Sequence, residues 1–404
     1  MSGTLKVFFS TLNTRHLTLA FFMIELFLNK LILGIQLGGV YALVAVGYTI
    51  VYGVLQFINF AHGDVYMVGA FMGMFVVKGF SEGSISSPVA MVVVLGMILI
   101  VAFFVSMRGH WKDPKGAAVR LVGFAVAFAL IGTLVKLFLK GGVLLFKPIT
   151  ALAATNVIIG GIVALTVAVA WCAGLGVLIE RTAYKPVRGT GRLTALITAI
   201  GVSLLIENGG QAVFGSDIHA YSLKDLPGGK QLLTGTLDLN LAGITLSVSK
   251  GQLIVLLATT ALVLALTYIV RYTKFGKAMR AVAFDRDAAA LMGINTDTII
   301  AFTFLLGSGL AGAAGFLNFG LTGYTFDTNT GIMFGLKAFV AAVLGGIGNL
   351  YGAVLGGLVL GLAEMFVGGS PFSPYRDAIA FIILIAILLF RPSGLLGKNT
   401  VEKV

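Results

Sequence analysis

The chain has 404 residues, 58% of them hydrophobic and only 11% charged, with a mean hydropathy of +1.01. A soluble domain carries roughly 25% charged residues, so no water-facing shell can be built here, and soluble enzymes, DNA-binding modules and disordered tails are excluded. The net charge of +12 does not point to nucleic acid, because the basic residues sit in short loops between apolar runs, as in a multi-span membrane protein.

A membrane-crossing helix needs about 20 apolar residues, and the chain supplies many such stretches. Residues 1–30 carry Arg15, His16, Glu25 and Lys30, which interrupt any cleavable signal core. Residues 21–28 either lie along the membrane interface or lengthen the first span. Spans are expected at about 31–54, 65–77 (extended by the residues before it), 89–107, 117–139, 155–179, 193–214, 252–270, 298–321 and 378–390. Residues 332–367 form an apolar run charged only at Lys337 and Glu364. Gly345, Gly346, Gly348 and Asn349 break it near its middle, so it is read as a tight helical hairpin or re-entrant pair. The expected fold is therefore an all-α polytopic bundle of about 9–11 crossings, a single membrane domain over 1–404. The lone Cys172 gives no disulfide framework.

Loops 108–116, 180–192 and 271–297 and the tail from Arg391 hold fifteen of the 28 basic residues, against seven in the intervening loops. By the positive-inside rule the first set is cytoplasmic. The N-terminus is then outside and the C-terminus inside. Glycine is common, at 54 residues. The four-residue spacings Gly352/Gly356 and Gly357/Gly361 are a small-xxx-small pattern, read as close packing within one bundle in preference to a dimerisation face.

Two constellations stand out. The string 59–64 places Asn59, His62 and Asp64 in an apolar setting. Ionisable groups at membrane depth are costly and normally face a cavity or a partner. A short turn wetted at the interface, a structural hinge and direct lining of a transport route are all open readings, and a His/Asp proton relay is a weaker one. The second constellation is the long loop 271–297. Its Ala-rich centre reads as a helix, with Ala278, Ala281, Val282, Ala288, Ala289 and Leu291 on a small apolar face and a stop at Gly293 and Asn295. It suits either a groove on a cytoplasmic partner or the lipid surface. No G-x-x-x-x-G-K-[ST] loop is present, so the chain is no ATPase. No metal constellation appears, and no cofactor is expected.

The strings GGVYALVAVGYTIVYGVLQFINFAHGDVYMVGAF (38–71), ERTAYKPVRGTGRLTALITAIGVSLLIEN (180–208), GKAMRAVAFDRDAAALMGINTDTIIAFTF (276–304), KAFVAAVLGGIGNLYGAVLGGLVLGLAE (337–364) and RPSGLLGKNTVEKV (391–404) resemble the membrane permease subunits of branched-chain amino acid ABC importers. The resemblance is to the subunit conventionally called the first, or H, permease. It implies a non-catalytic transport subunit of the bacterial inner membrane. Its partners would be a second homologous permease, two cytoplasmic ABC ATPases and a periplasmic substrate-binding protein. It also assigns ATPase coupling to loop 271–297, through Gly276, Ala278, Arg280, Ala281, Asp285, Ala288, Ala289, Gly293 and Asn295. Residues 85–150 fall outside the resembling stretches and read as an inserted helical hairpin. The family shape also serves urea, short amides and other amino acids. A stand-alone secondary transporter using His62 and Asp64 is the alternative from a different class.

Overall fold

The computed structural model describes residues 2–81, 156–188, 191–241 and 244–397. Segment 85–150 lies outside them. Twelve helices are labelled here in chain order: α1 (Ser2–Leu55), α2 (His62–Ser81), α3 (Val157–Ile179), α4 (Arg192–Phe214), α5 (Gly229–Leu233), α6 (Lys250–Tyr272), α7 (Lys274–Phe284), α8 (Arg286–Leu291), α9 (Thr296–Thr322), α10 (Thr330–Gly345), α11 (Leu350–Gly368) and α12 (Arg376–Phe390). Among the described residues seven helices are long and apolar enough to cross a membrane. The expected polytopic helical bundle is therefore what the chain forms.

The residues at 21–28 continue the first span and do not form a separate surface helix, since α1 runs unbroken from Ser2. At about 1.5 Å per residue α1 is about 80 Å long, far more than the roughly 30 Å hydrocarbon core. The 332–367 run does fold as a broken pair. Gly346 and Gly348 take φ of 101° and 92°, which side chains with a Cβ resist. Asn349 then caps α11 by accepting hydrogen bonds from the Tyr351 and Gly352 amides. α10 has 16 residues, about 24 Å of helix, too short to span the core alone.

The core is built on glycine contacts. A Cβ at Gly38 would stand 2.7 Å from the Leu358 Cα, and one at Gly357 would stand 2.6 Å from the Ala42 amide. Gly352 and Gly356 meet the α10 backbone at Gly345 and Ala341. The small-xxx-small stripe is thus consumed inside the protomer, where it lets α1, α10 and α11 approach closely. Gly69 and Gly312 make a similar crossing between α2 and α9.

One end of the bundle gathers the C-terminal ends of α1 and α6, the turns around α7 and α8, the α10–α11 break and residues Leu396 and Gly397. The opposite end carries the bridge between His219 and Phe326 and the Lys30 ammonium on the Gly369 carbonyl. α2 ends and α3 begins at this second end, Val157 lying beside Pro227 and Gly228. An element the sequence reading missed also sits in the α4–α6 connection: an antiparallel hairpin of β1 (Thr236–Leu241) and β2 (Ile244–Ser249), with Thr236 opposite Ser249. Its period-two alternation, TLDLNL against ITLSVS, is the available signal.

Candidate functional site

α1 ends at Leu55, and the chain crosses in non-helical form to His62, where α2 starts. Among the described residues Gln56 is the non-glycine residue with positive φ, 59°, and it turns the backbone back into the bundle. Asn59, His62 and Asp64 are then 2%, 1% and 0% exposed. They are packed inside this chain and not wetted at its surface.

Each ties the start of α2 to a different element. The Asn59 side-chain oxygen accepts a hydrogen bond from the Tyr184 hydroxyl at 2.6 Å. Tyr184 closes a π-helical turn, Glu180–Tyr184, that extends α3. Such wide turns are frequent at functional positions, and this one buries both Glu180 and Tyr184. The His62 ring lies edge-on to Tyr48 at 4.7 Å, and Gly47 leaves it room: a Cβ there would come within 2.7 Å of the imidazole Cε1. Asp64 accepts a hydrogen bond from the Ser203 hydroxyl at 2.5 Å. Ser203 is central in α4, so this bond lies at about half depth. The other face of Asp64 abuts the first turn of α10, where a Cβ on Gly331 would be 2.9 Å from a carboxylate oxygen. The Asp64 Oδ1 is buried and has no hydrogen-bond partner among the described residues. α2 and α10 cross glycine on glycine, a Cβ on Gly63 standing 2.6 Å from the Gly335 Cα.

A second buried polar cluster was not assembled from sequence. Glu364 is fully buried and accepts hydrogen bonds from Tyr41 at 3.0 Å, Lys337 at 3.2 Å and Arg376 at 3.2 Å. Lys337 also reaches Asp377 at 2.7 Å. The signal was that Lys337 and Glu364 are the two charges of an otherwise apolar run. Their pairing clamps α1, α10, α11 and α12.

Loop 271–297 folds as two short helices, not one. Asp285 is extended, and its carboxylate accepts from the Asp287 and Ala288 amides. It therefore caps α8 and ends α7 in one step. Gly276 is buried, and a Cβ there would press on the Ile269 and Val270 carbonyls. Gly293 has φ 83° with open space around it. Its amide bonds Ala290 O and the next amide bonds Ala289 O, the paired closure of a Schellman motif. Asn295 caps α9 through the Thr298 amide. Of the small apolar face expected here, Val282 and Ala289 are buried, Ala278 and Ala281 are half-buried, and Ala288 and Leu291 are exposed, so the face divides between the permease's own bundle and the outside. The outward residues are Phe284, Leu291 and Met292, at 94%, 89% and 83% exposure. Asp297 at the base of α9 pairs with Lys185 and Arg188, and Arg188 also holds Glu180. Ion pairs thus tie the loop to the π turn, whose Tyr184 in turn bonds Asn59.

The profile of the family described as branched-chain amino acid transport system / permease component matches residues 31–388. The chain belongs to this family. It is 34% identical over 378 residues to the high-affinity branched-chain amino acid transport system permease protein LivH of Salmonella typhimurium, covering 94% of this chain and 98% of that protein. It is 33% identical over the same length to BraD of Pseudomonas aeruginosa, a permease protein of the same description. Over 139 residues, 33% of the chain, it is 30% identical to LsrC of Yersinia pseudotuberculosis, an autoinducer 2 import system permease protein. No solved structure matches it. This permease is thus a multi-pass helical transport subunit.

Proposed function

We propose that this permease is one half of an ATP-driven importer of branched-chain or related amino acids. Its partners are a second, homologous permease, two cytoplasmic ABC ATPases and a periplasmic binding protein. It sits in the bacterial inner membrane with its N-terminus outside and C-terminus inside. The observation that carries this reading is the apolar tip of Phe284, Leu291 and Met292 on the basic end of the bundle. Large exposed apolar groups on a water-facing surface mark an interaction site, and here they flank a loop anchored to the membrane core by Asp297, Lys185 and Arg188.

In the proposed mechanism the ATPases hold α7 and α8, and their closure pushes the base of α9 and the π turn. Tyr184 passes that shift to Asn59 and so to the start of α2, a bistable element of the hinge type. α4 is largely exposed along its length and is held to α2 by the Ser203–Asp64 bond and by Phe214 stacked on Phe71 at 4.3 Å. Its separation opens the route and brings Asp64 to the wall. A zwitterion with an aliphatic side chain passes a wall of low fixed charge without being trapped.

The test is reconstitution of the permease with its partners in liposomes. Uptake of leucine, isoleucine or valine that needs ATP inside and binding protein outside supports the reading. Uptake by the permease alone would make it a stand-alone transporter. ATP-driven uptake of urea or short amides, with amino acids excluded, would replace the substrate class.

A further inference from the structure

At the basic end of the bundle a cavity of about 680 Å³ opens between the ends of α1 and α6, helix α7 and the α10–α11 break. Its walls include Ile50, Val54 and Leu350, and its polar groups include Arg271, Arg280 and Thr49. Thr49 is buried, and its hydroxyl has no hydrogen-bond partner among the described residues. The Arg271 guanidinium lies over the Tyr351 ring at 4.6 Å. That stacking fixes its plane and leaves its N–H edge free for an acceptor. Arg280 donates to the Val270 and Arg271 carbonyls, which fixes its head at the same corner. Lys274 and Lys277 stand on the outer side of α7, exposed. Residues 271–284 contain no acid, and among the described residues no carboxylate pairs with Arg271, Lys274, Lys277 or Arg280. Tyr268 and Tyr272, exposed at the end of α6, mark this level as a membrane–water boundary, where such rings concentrate.

We propose that this cavity binds the phosphate headgroup of an anionic phospholipid from the adjoining leaflet. The leaflet is the cytoplasmic one on the orientation proposed above. Arg271 and Arg280 in the lining, neither paired with a carboxylate among the described residues, supply the counter-charge, with Lys274 and Lys277 adding to it from outside the cavity. The stacked Arg271 offers paired N–H groups to phosphate oxygens, the Thr49 hydroxyl gains an acceptor, and the apolar walls take the start of an acyl chain. Basic pockets between membrane helices hold such headgroups, at about a fivefold change in affinity per charge.

The purified permease, alone and with its ATPases, is exchanged into nanodiscs of phosphatidylcholine mixed with phosphatidylglycerol, then released, and its retained lipids are weighed by native mass spectrometry. Selective retention of phosphatidylglycerol is expected. Arg271→Gln should reduce it about fivefold, and Arg271→Gln with Arg280→Gln about twenty-five-fold. Lys230→Gln, an exposed charge outside the cavity, should change nothing. Among the described residues the Arg271 side chain stacks on Tyr351 but makes no hydrogen bond, so the single variant is expected to keep the fold, and an unchanged melting temperature checks this. Equal retention of both lipids, or unaltered retention in Arg271→Gln, would overturn the proposal. So would displacement of the lipid by millimolar inorganic phosphate, which would make the site one for a soluble anion. Loss of the lipid whenever the ATPases are bound would instead assign the cavity to their seat. The lipid readout does not involve uptake, so a wrong substrate class leaves it standing.

Discussion

At the scale of single residues, the contrast between Gly63 and Gly53 separates two uses of the same amino acid. Gly63 lies where α2 crosses α10, and a Cβ would meet the Gly335 Cα at 2.6 Å, backbone that cannot rotate away. Gly53 is on α1 with nothing within 4 Å. Gly63→Ala is expected to lower stability by at least the 1–3 kcal/mol typical of overpacking, seen as a lower melting temperature and lower abundance. Gly53→Ala should be neutral or gain about 0.5–1 kcal/mol, because a helix interior favours alanine. Equal melting temperatures for the two would refute the close α2–α10 crossing. Glu364 tests charge in the same way. Glu364→Gln leaves Lys337 buried with weaker compensation, and breaking such a pair costs about 3–5 kcal/mol. Lys337→Gln with Glu364→Gln should cost less than the sum of the single changes. Additive losses in thermal unfolding would show that the two side chains are not coupled.

At the scale of elements, the two short helices of the basic loop divide labour between inward and outward faces. Phe284→Ser and Leu291→Ser remove exposed groups, so permease abundance and melting temperature should hold while co-purification of the ATPase falls. Ala289→Trp should instead lower the permease's own stability, because Ala289 is buried. Retained ATPase binding in both serine variants would remove the tip from the docking surface. Tyr184→Phe deletes one 2.6 Å hydrogen bond to Asn59, a change of about 0.5–1.5 kcal/mol. If the π turn relays the loop's motion, ATP hydrolysis should persist while uptake drops; uptake at the wild-type rate would mean the relay runs elsewhere. The sequence carried the helix breaks well, since glycine with positive φ and an Asn cap act locally at 346–349. The break at Asp285 was missed although Asp is a strong cap, because the Ala-rich pattern continues through it. How the loop's small face divides was not legible for a different reason: Ala289 turns inward and Ala288 outward only once α9 is packed against the loop. Likewise no local pattern joins Asn59 to Tyr184 or Lys337 to Glu364, since partners 125 and 27 residues apart are chosen by helix packing.

At the scale of the whole molecule, every transport statement depends on which end of the bundle faces the cytoplasm. The basic end carries Lys185, Arg188, Arg271, Lys274, Lys277 and Arg280, and charge of this kind is retained on the cytoplasmic side. The opposite end holds the β-hairpin and the His219–Phe326 bridge. Two single-cysteine variants decide the matter: Leu291→Cys at the exposed basic end, and Ile218→Cys, exposed at the other. The native Cys172 is buried and donates its thiol to the Val65 carbonyl, so in the folded permease it stays unlabelled and the background is silent. With a membrane-impermeant maleimide, Ile218→Cys should label in intact cells, whereas Leu291→Cys should label only after the membrane is opened. The reverse pattern would invert the protein. It would place the apolar tip away from any cytoplasmic ATPase, and the importer reading would fall with it.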